Sequence, residues 1–445
     1  MTREEDRHPK GFWFIFWGEL AERASFYGMK TLLLLYMIQK LGYTDANSAS
    51  VVSLFTAFCY ILPIAGGYVA DRWLGKFKTI IYFAIPYILG HIVLGTFDTN
   101  VGLYTALLLL AGGSGSIKPN ISTLMGLMYE KEHKTHLLTR AFSWFYMAVN
   151  VGAAITTFSL PFVRDHYGYS VAFMAPTILM VVALGIFYLG KKYYPQEVRV
   201  SGPRPVKTPE QRHEERSTLI RLSGLFLLVV FFWSIFDQSY STWTLFARDY
   251  MILDIGIGSW SWRVPPDAIQ GINPVLIVIL TPLFAWIWSR TDKDEEHKLS
   301  SPRKMLIGFA LVAICMGVMT LAGYRGVISK VSILWEAGAY LLITAAELCI
   351  SVVGLQLAFE EAPEHMKSMI TGVWLFTVFL GDTLAAWFSR LYTDMAPGDY
   401  FGAMTILMLA VTVAFYYIGR RFEVAHAKAK DRQAARSTAA TRTGK

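Results

Sequence analysis

Seven ionisable side chains lie inside stretches that are otherwise apolar: Glu19, Glu22, Arg23, Lys30, Lys118, Asp237 and Glu347. A charge at the centre of a membrane-spanning helix costs roughly 2.5–3.5 kcal/mol, so the set carries a burden of roughly 20 kcal/mol. Packing does not explain such a burden, and intramembrane charges mark functional sites by default. Four of the seven are acids and three are bases. Ionised together, they leave one acid without a basic partner. That imbalance suits a site that binds and releases a proton.

The spacing sharpens this reading. Glu19, Glu22 and Arg23 share one helical face at i, i+3 and i+4, and Tyr27 and Lys30 continue it. One guanidinium cannot neutralise two carboxylates, so one glutamate holds a proton or finds a base elsewhere. Lys118 sits mid-span beside Pro119, and Gly112, Gly113 and Gly115 let another helix pack closely. The Gly-x-x-x-x-Gly-Lys spacing of a phosphate-binding loop is absent. Lys118 therefore needs an acidic partner, with the first-helix glutamates as candidates; the competing account is snorkelling to an interface. Asn150, Asn273 and Tyr60 can hydrogen-bond a bound molecule or a neighbouring helix. Trp233, Trp374 and Tyr27 can line pockets or serve as packing. Glu360, beside Glu361 and Pro363, reads as a solvated helix end, and Asp382 receives no role.

The elements that must position these groups are transmembrane helices. The chain has 445 residues, 54% hydrophobic and 17% charged, against about 25% charged in soluble domains. Mean hydropathy is +0.39. The long apolar runs lack the alternation of a β-barrel. Twelve spans are expected, at 12–38, 51–70, 79–97, 102–128, 141–162, 169–190, 219–246, 269–289, 303–323, 333–359, 368–390 and 400–419. The net charge of +8 lies in short loops and the tail. This is the positive-inside signal, so nucleic acid is not an expected partner and both termini are expected to be cytoplasmic. The N-terminus leads into an uncleaved first helix. The segment 247–268, with Trp260 and Trp262, reads as an outer cap or helix extension.

The polar, proline-rich linker 191–218 divides the chain into a first six-helix bundle, 1–190, and a second, 219–419, followed by a basic tail, 420–445. The tail reads as disordered or as an interfacial helix. Cys59, Cys315 and Cys349 all fall in apolar segments, which makes a disulfide framework or metal site improbable. No Ser/His pair, catalytic Asp pair or metal constellation points to an enzyme.

Two resemblances follow from motifs. Gly67-x-x-x-Asp71-Arg72-x-x-Gly75-Lys76 resembles the signature loop of the major facilitator superfamily, which implies a conformational latch at those five residues. Glu19-x-x-Glu22-Arg23, with Ser25-Phe26-Tyr27-Gly28-Met29-Lys30, resembles the E-x-x-E-R motif of the proton-coupled oligopeptide transporters, the POT family. Further motifs agree in order along the chain. They are Gly115-Ser116-Ile117-Lys118-Pro119-Asn120, Phe145-Tyr146 through Asn150-Val151-Gly152, Phe232-Trp233 through Asp237-Gln238, Gln270-Gly271-Ile272-Asn273-Pro274, Glu347 through Ser351, and Gly372-Val373-Trp374.

The resemblance implies a major facilitator fold and a proton-coupled symporter importing di- and tripeptides, with no cofactor beyond the proton gradient. It implies a monomer in the cell membrane whose partners are protons, small peptides and the lipid bilayer. Proton coupling would fall to Glu19, Glu22, Arg23, Lys118 and Asp237. Substrate binding would fall to Arg23, Tyr27, Lys30, Tyr60, Lys118, Asn150, Trp233, Asn273, Glu347, Ser351 and Trp374. Arg23 and Lys118 would take the peptide carboxylate, and Glu347 with Asn150 and Asn273 the amino terminus. The chain departs from the family pattern at Ala24, Lys30, Asp237 and Val352, which bears on peptide size and affinity. The alternatives are a carrier of nitrate, another small anion or a peptide-like drug, and a non-transporting peptide sensor.

Overall fold

The computed structural model describes residues 7–195, 208–257, 260–291, 299–361 and 367–443. The first half is six helices: α1 (Lys10–Gln39), α2 (Asp45–Val69), α3 (Lys76–Thr96), α4 (Asn100–Lys131), α5 (Leu138–Tyr167) and α6 (Tyr169–Leu189). The second half opens with α7 (Pro209–Phe236), a 3₁₀ turn Asp237–Tyr240 and α8 (Thr242–Tyr250). It continues with α9 (Ile272–Thr291), α10 (Ser301–Ile328), α11 (Leu334–Glu347), α12 (Val353–Glu361), α13 (Lys367–Tyr392) and α14 (Pro397–Thr443). A π-helical turn, Leu348–Val352, joins α11 to α12, so that pair makes one passage. The expected two bundles of six passages are present.

Eleven of these passages are long and apolar enough to cross a membrane. The exception is α1, and Glu19, Glu22, Arg23 and Lys30 are the reason. It is a spanning helix by length and by packing: most of it is buried, charges included. It packs against α5 and α6 and also touches α2 and α4. Buried on most of its faces, α1 occupies the core of its bundle. Lipid instead meets side chains such as Leu108, Ile178, Ile314 and Ile406. In the second bundle α10 packs on α14 and α11, and α13 on α7. The bundles meet where α2 packs on α13 and α5 on α9.

Small residues set the closest helix crossings. A Cβ on Gly152 would lie 2.4 Å from the Leu20 carbonyl oxygen, so α5 can approach the charged turn of α1 only with glycine there. The Thr156 hydroxyl, one turn on, donates to Ala24 O at 2.8 Å. Between α2 and α4 the close approach falls on Gly66, whose Cβ would lie 2.4 Å from Ser116 Cα. Gly67, its neighbour in the signature loop, has open space around it. One residue along a helix is a rotation of about 100°, which turns the neighbouring glycine away.

The structure differs from expectation at two places. The segment after α8 forms an antiparallel hairpin, β2 (Asp254–Ile257) with β3 (Trp260–Arg263), and β1 (Met251–Ile252) pairs in parallel with β4 (Val331–Ser332). The linker yields its last part to α7, which begins at Pro209; Pro203 and Pro205 lie outside the described residues. Beyond Arg420 the chain continues as helix to Thr443, one of the two forms expected of the tail.

Gly152→Ala should destabilise the fold by about 1–3 kcal/mol, the range for overpacking. Thermal unfolding of the purified protein in detergent is expected to show a lower Tm, lower still for Gly152→Val. Gly67→Ala should leave Tm unchanged or raised.

Candidate functional site: a charged cavity between the bundles

A cavity of about 360 Å³ lies between the bundles, within the usual range for small-molecule sites. The first bundle contributes Glu19, Arg23, Tyr27 and Lys30 from α1, Tyr60 from α2, Lys118 from α4 and Asn150 from α5. The second contributes Trp233 from α7 and Asp237 from the 3₁₀ turn, with Asn273 from α9, Glu347 from α11, Ser351 from the π turn and Trp374 from α13. Every residue expected to bind substrate therefore lines this one cavity. Of the coupling set, Glu22 is the exception: it is fully buried behind Arg23.

Arg23 holds both first-helix acids. Its Nη2 donates to Glu22 Oε1 at 2.6 Å, and its Nε donates to Glu22 Oε2. The same Nε lies 3.3 Å from Glu19 Oε1. Glu19 Oε2 has no protein partner. The triad is one charge short of neutral if both acids are ionised. Lys118 does not complete it: its ammonium sits 4.2 Å from the centre of the Tyr60 ring. No carboxylate within 4.0 Å pairs with Lys118 among the described residues. A cation over an aromatic face is a modest interaction, which leaves this ammonium available to an anion. Lys30 pairs with Asp237 Oδ1 at 3.5 Å and lies 3.7 Å from the centre of the Tyr240 ring.

The opposite wall is acidic and amide-rich. Asn273 Nδ2 donates to Glu347 Oε2 at 3.1 Å and to Thr344 Oγ1 at 3.0 Å. Across the cavity, Asn150 of α5 donates from Nδ2 to Tyr146 O at 2.9 Å. Trp233 Nε1, Asp237 Oδ2, Gln270 Oε1 and Asp382 Oδ2 are buried without a protein hydrogen bond. Four orphaned polar atoms in one wall are unusual, because buried polar groups are normally satisfied. They mark a surface built to meet a polar ligand. No group of His, Cys, Asp and Glu side chains among the described residues could hold a metal ion.

Sequence reasoning missed Asp382, Gln270 and Tyr146 as lining residues. Periodicity held the signal: Asp382 is two helical turns from Trp374, and Gln270 one turn from Asn273. With Asp382 counted, the intramembrane tally becomes five acids against three bases.

One end of the cavity is tied shut between the bundles. Arg164, near the end of α5, hydrogen-bonds Asp267 in the 3₁₀ segment before α9, and both side chains are buried. Arg248 of α8 forks onto Asp45 of α2 at 2.7 and 3.1 Å. Lys30 with Asp237 makes a third bond of this kind. Trp262 of β3 stacks edgewise on Phe162 of α5, ring centres 6.3 Å apart, so the hairpin adds an apolar contact at the same end. At the other end lies the signature loop, where Ala70–Leu74 form a π turn and Gly75, at φ 82°, starts α3. There Asp71 pairs with Lys76.

Two six-helix bundles around one charged cavity define the class, a polytopic transporter of the major facilitator type. Comparison with known proteins narrows it. The family model described as POT family matches residues 77–208 and 203–407, and the chain belongs to that family of peptide transporters. Solute carrier family 15 member 2 of Rattus norvegicus is 35% identical over 361 residues, 71% of this chain and 49% of that protein. The chain thus spans about half the length of that relative. The uncharacterized transporter YclF of Bacillus subtilis (strain 168) is 25% identical over 462 residues, covering 91% of this chain and 92% of its own. A POT family transporter solved with a thioalcohol conjugated peptide superimposes with a TM-score of 0.84 at 23% identity, over 93% of this chain and 97% of that one, a likeness of fold. The POT family transporter PepTSo gives 0.79 at 25% identity, over 94% and 99%.

Removing one partner of the buried Arg164–Asp267 pair should cost about 3–5 kcal/mol, because the other charge is left buried alone. Arg164→Ala and Asp267→Ala are each expected to lower stability in detergent by that order. The double substitution should cost clearly less than their sum, a non-additivity that a double-mutant cycle measures.

Proposed function

We propose that this chain is a proton-coupled symporter that imports di- and tripeptides by alternating access between its two bundles. The observation that carries the reading is the polarity of the cavity. A cationic wall with an available ammonium, Lys118 beside Arg23, belongs to the first bundle. A carboxylate held by an amide, Glu347 with Asn273, belongs to the second. A zwitterionic peptide needs both ends and bridges the two moving parts. A nitrate carrier has no use for the acidic wall, and a sensor has no need of a proton-titratable triad.

The coupling we infer runs through competition for charge. With Glu19 and Glu22 both ionised, the triad draws the nearby cation Lys118 toward α1. A proton on either acid leaves Arg23 sufficient for the other, and Lys118 turns to the peptide carboxylate. Loss of the proton on the less acidic side reverses the exchange and weakens the peptide's hold. Asn150, Tyr27, Tyr60, Ser351, Trp233 and Trp374 supply backbone hydrogen bonds and pocket walls. Release of Lys30 from Asp237 accompanies opening of the tied end. Gly67, Asp71, Arg72, Gly75 and Lys76 act as the latch at the other end.

In this reading the bundles are 1–190 and 219–419, joined by a cytoplasmic linker, 191–218, with the tail 420–445 on the same side. The tied end then faces outward, and the described state is closed to the outside. The protein works as a monomer in the cell membrane and draws on the proton gradient without a cofactor.

The test is uptake of labelled dialanine into proteoliposomes under an inward proton gradient with a negative-inside potential. Wild type should concentrate the peptide, and Lys118→Ala should abolish concentrative uptake. A folded wild type that concentrates no peptide under these conditions would sink the assignment.

A further inference from the structure

Asp382 is the one acid of the cavity that the proposed transport cycle does not use. It is 2% exposed, lines the cavity from α13, and its Oδ2 has no hydrogen-bond partner. The charges within electrostatic reach are Asp237, Lys30 and Lys118. Lys30 is already held by Asp237, and Lys118 is committed to the peptide carboxylate in the substrate-bound state. An ionised carboxylate buried without a cation is costly. Glu347 answers to the amino terminus of a peptide, so Asp382 is left to meet a second cation.

The residues leading to it give the shape of what fits. Trp374, Val378 and Asp382 follow at i, i+4 and i+8 on α13 and all face the cavity, as does Leu375. They form a stripe that is aromatic, then aliphatic, then acidic. One helical turn separates Val378 from Asp382, a rise of about 6 Å. That is the length of a flexible aliphatic stem ending in a charge. Lysine and arginine have this form, with an apolar stem and a polar head.

We propose that Asp382 closes a side-chain subsite for a basic substrate residue, so that this transporter favours dipeptides carrying lysine or arginine over neutral and acidic ones. The inference rests on the peptide-transport reading above and specifies its substrate class. An acidic side chain in the same place faces an unpaired carboxylate and is rejected.

Competition against labelled dialanine uptake tests this, with alanyl-lysine, unlabelled dialanine and alanyl-glutamate as competitors. In wild type the expected order of potency is alanyl-lysine, then dialanine, then alanyl-glutamate. In Asp382→Asn, which keeps the side-chain shape, the preference for alanyl-lysine over dialanine should fall about tenfold, the scale of one hydrogen bond to a charged group. Asp382→Glu should retain part of that preference. A wild type that takes alanyl-glutamate as readily as alanyl-lysine overturns the proposal without any variant. So does a preference that Asp382→Asn leaves unchanged, including the case in which both affinities fall in proportion. Saturable uptake of no peptide at all is a different result, because it removes the transport reading itself.

Discussion

One guanidinium between two carboxylates, deep in a bundle, constrains the rest of this molecule. Arg23 cannot neutralise Glu19 and Glu22 together, and hydrocarbon offers no counterion. The missing charge must come from a proton, from another side chain or from the cargo. Each solution asks something of the fold. The triad has to lie away from lipid, so α1 is placed at the centre of its bundle and α5 presses close at Gly152. The second cation must be near yet not locked in place, and Lys118 over the Tyr60 ring satisfies both conditions. Two further lysines, Lys30 and Lys118, outweigh the triad's single excess negative charge and make the first bundle's cavity wall cationic.

The second bundle answers with acids and amides. Glu347 is oriented by Asn273, and the helix that carries it changes to a π turn directly afterwards. Such turns often occur at functional sites, and here Ser351 lies within one, facing the cavity. Opposite walls of opposite sign attract a dipolar ligand and, through it, each other. The same logic in miniature governs the tied end, where Arg164–Asp267 and Arg248–Asp45 join one bundle to the other. Those bonds run between side chains, so they can part without unfolding any helix.

Much of this was legible in the sequence because hydrocarbon makes strong demands. Apolar length located the passages, and the mid-span charges located the cavity-lining residues, from Arg23 and Lys30 to Glu347. What stayed hidden depended on rotation and distance. Gly66 and Gly67 are equivalent in sequence, yet only Gly66 faces α4. Lys118 was expected beside a glutamate, and its ammonium instead lies on a ring from α2, a relation that no spacing encodes. Asp382 stood two turns from Trp374 on one face, but a single mid-span acid looks the same in sequence whether it faces a neighbouring helix or a cavity. The hairpin was readable in principle. Ile255, Ile257, Trp260 and Trp262 alternate around a Gly-Ser step, the pattern of a two-residue β-turn connection, in a segment read only as an outer cap or helix extension.

The burial of α1 has a consequence for how the protein is made. Ribosomes deliver α1 before the helices that enclose it, and by apolar composition it is the poorest of the twelve at entering a bilayer unaided. The helices that enclose it, α5 and α6, are synthesised only at residues 138–189. During that interval a segment bearing four charges has none of its final neighbours from α5 and α6. Early biogenesis therefore needs a shelter at the insertion machinery for a helix whose permanent surroundings do not yet exist.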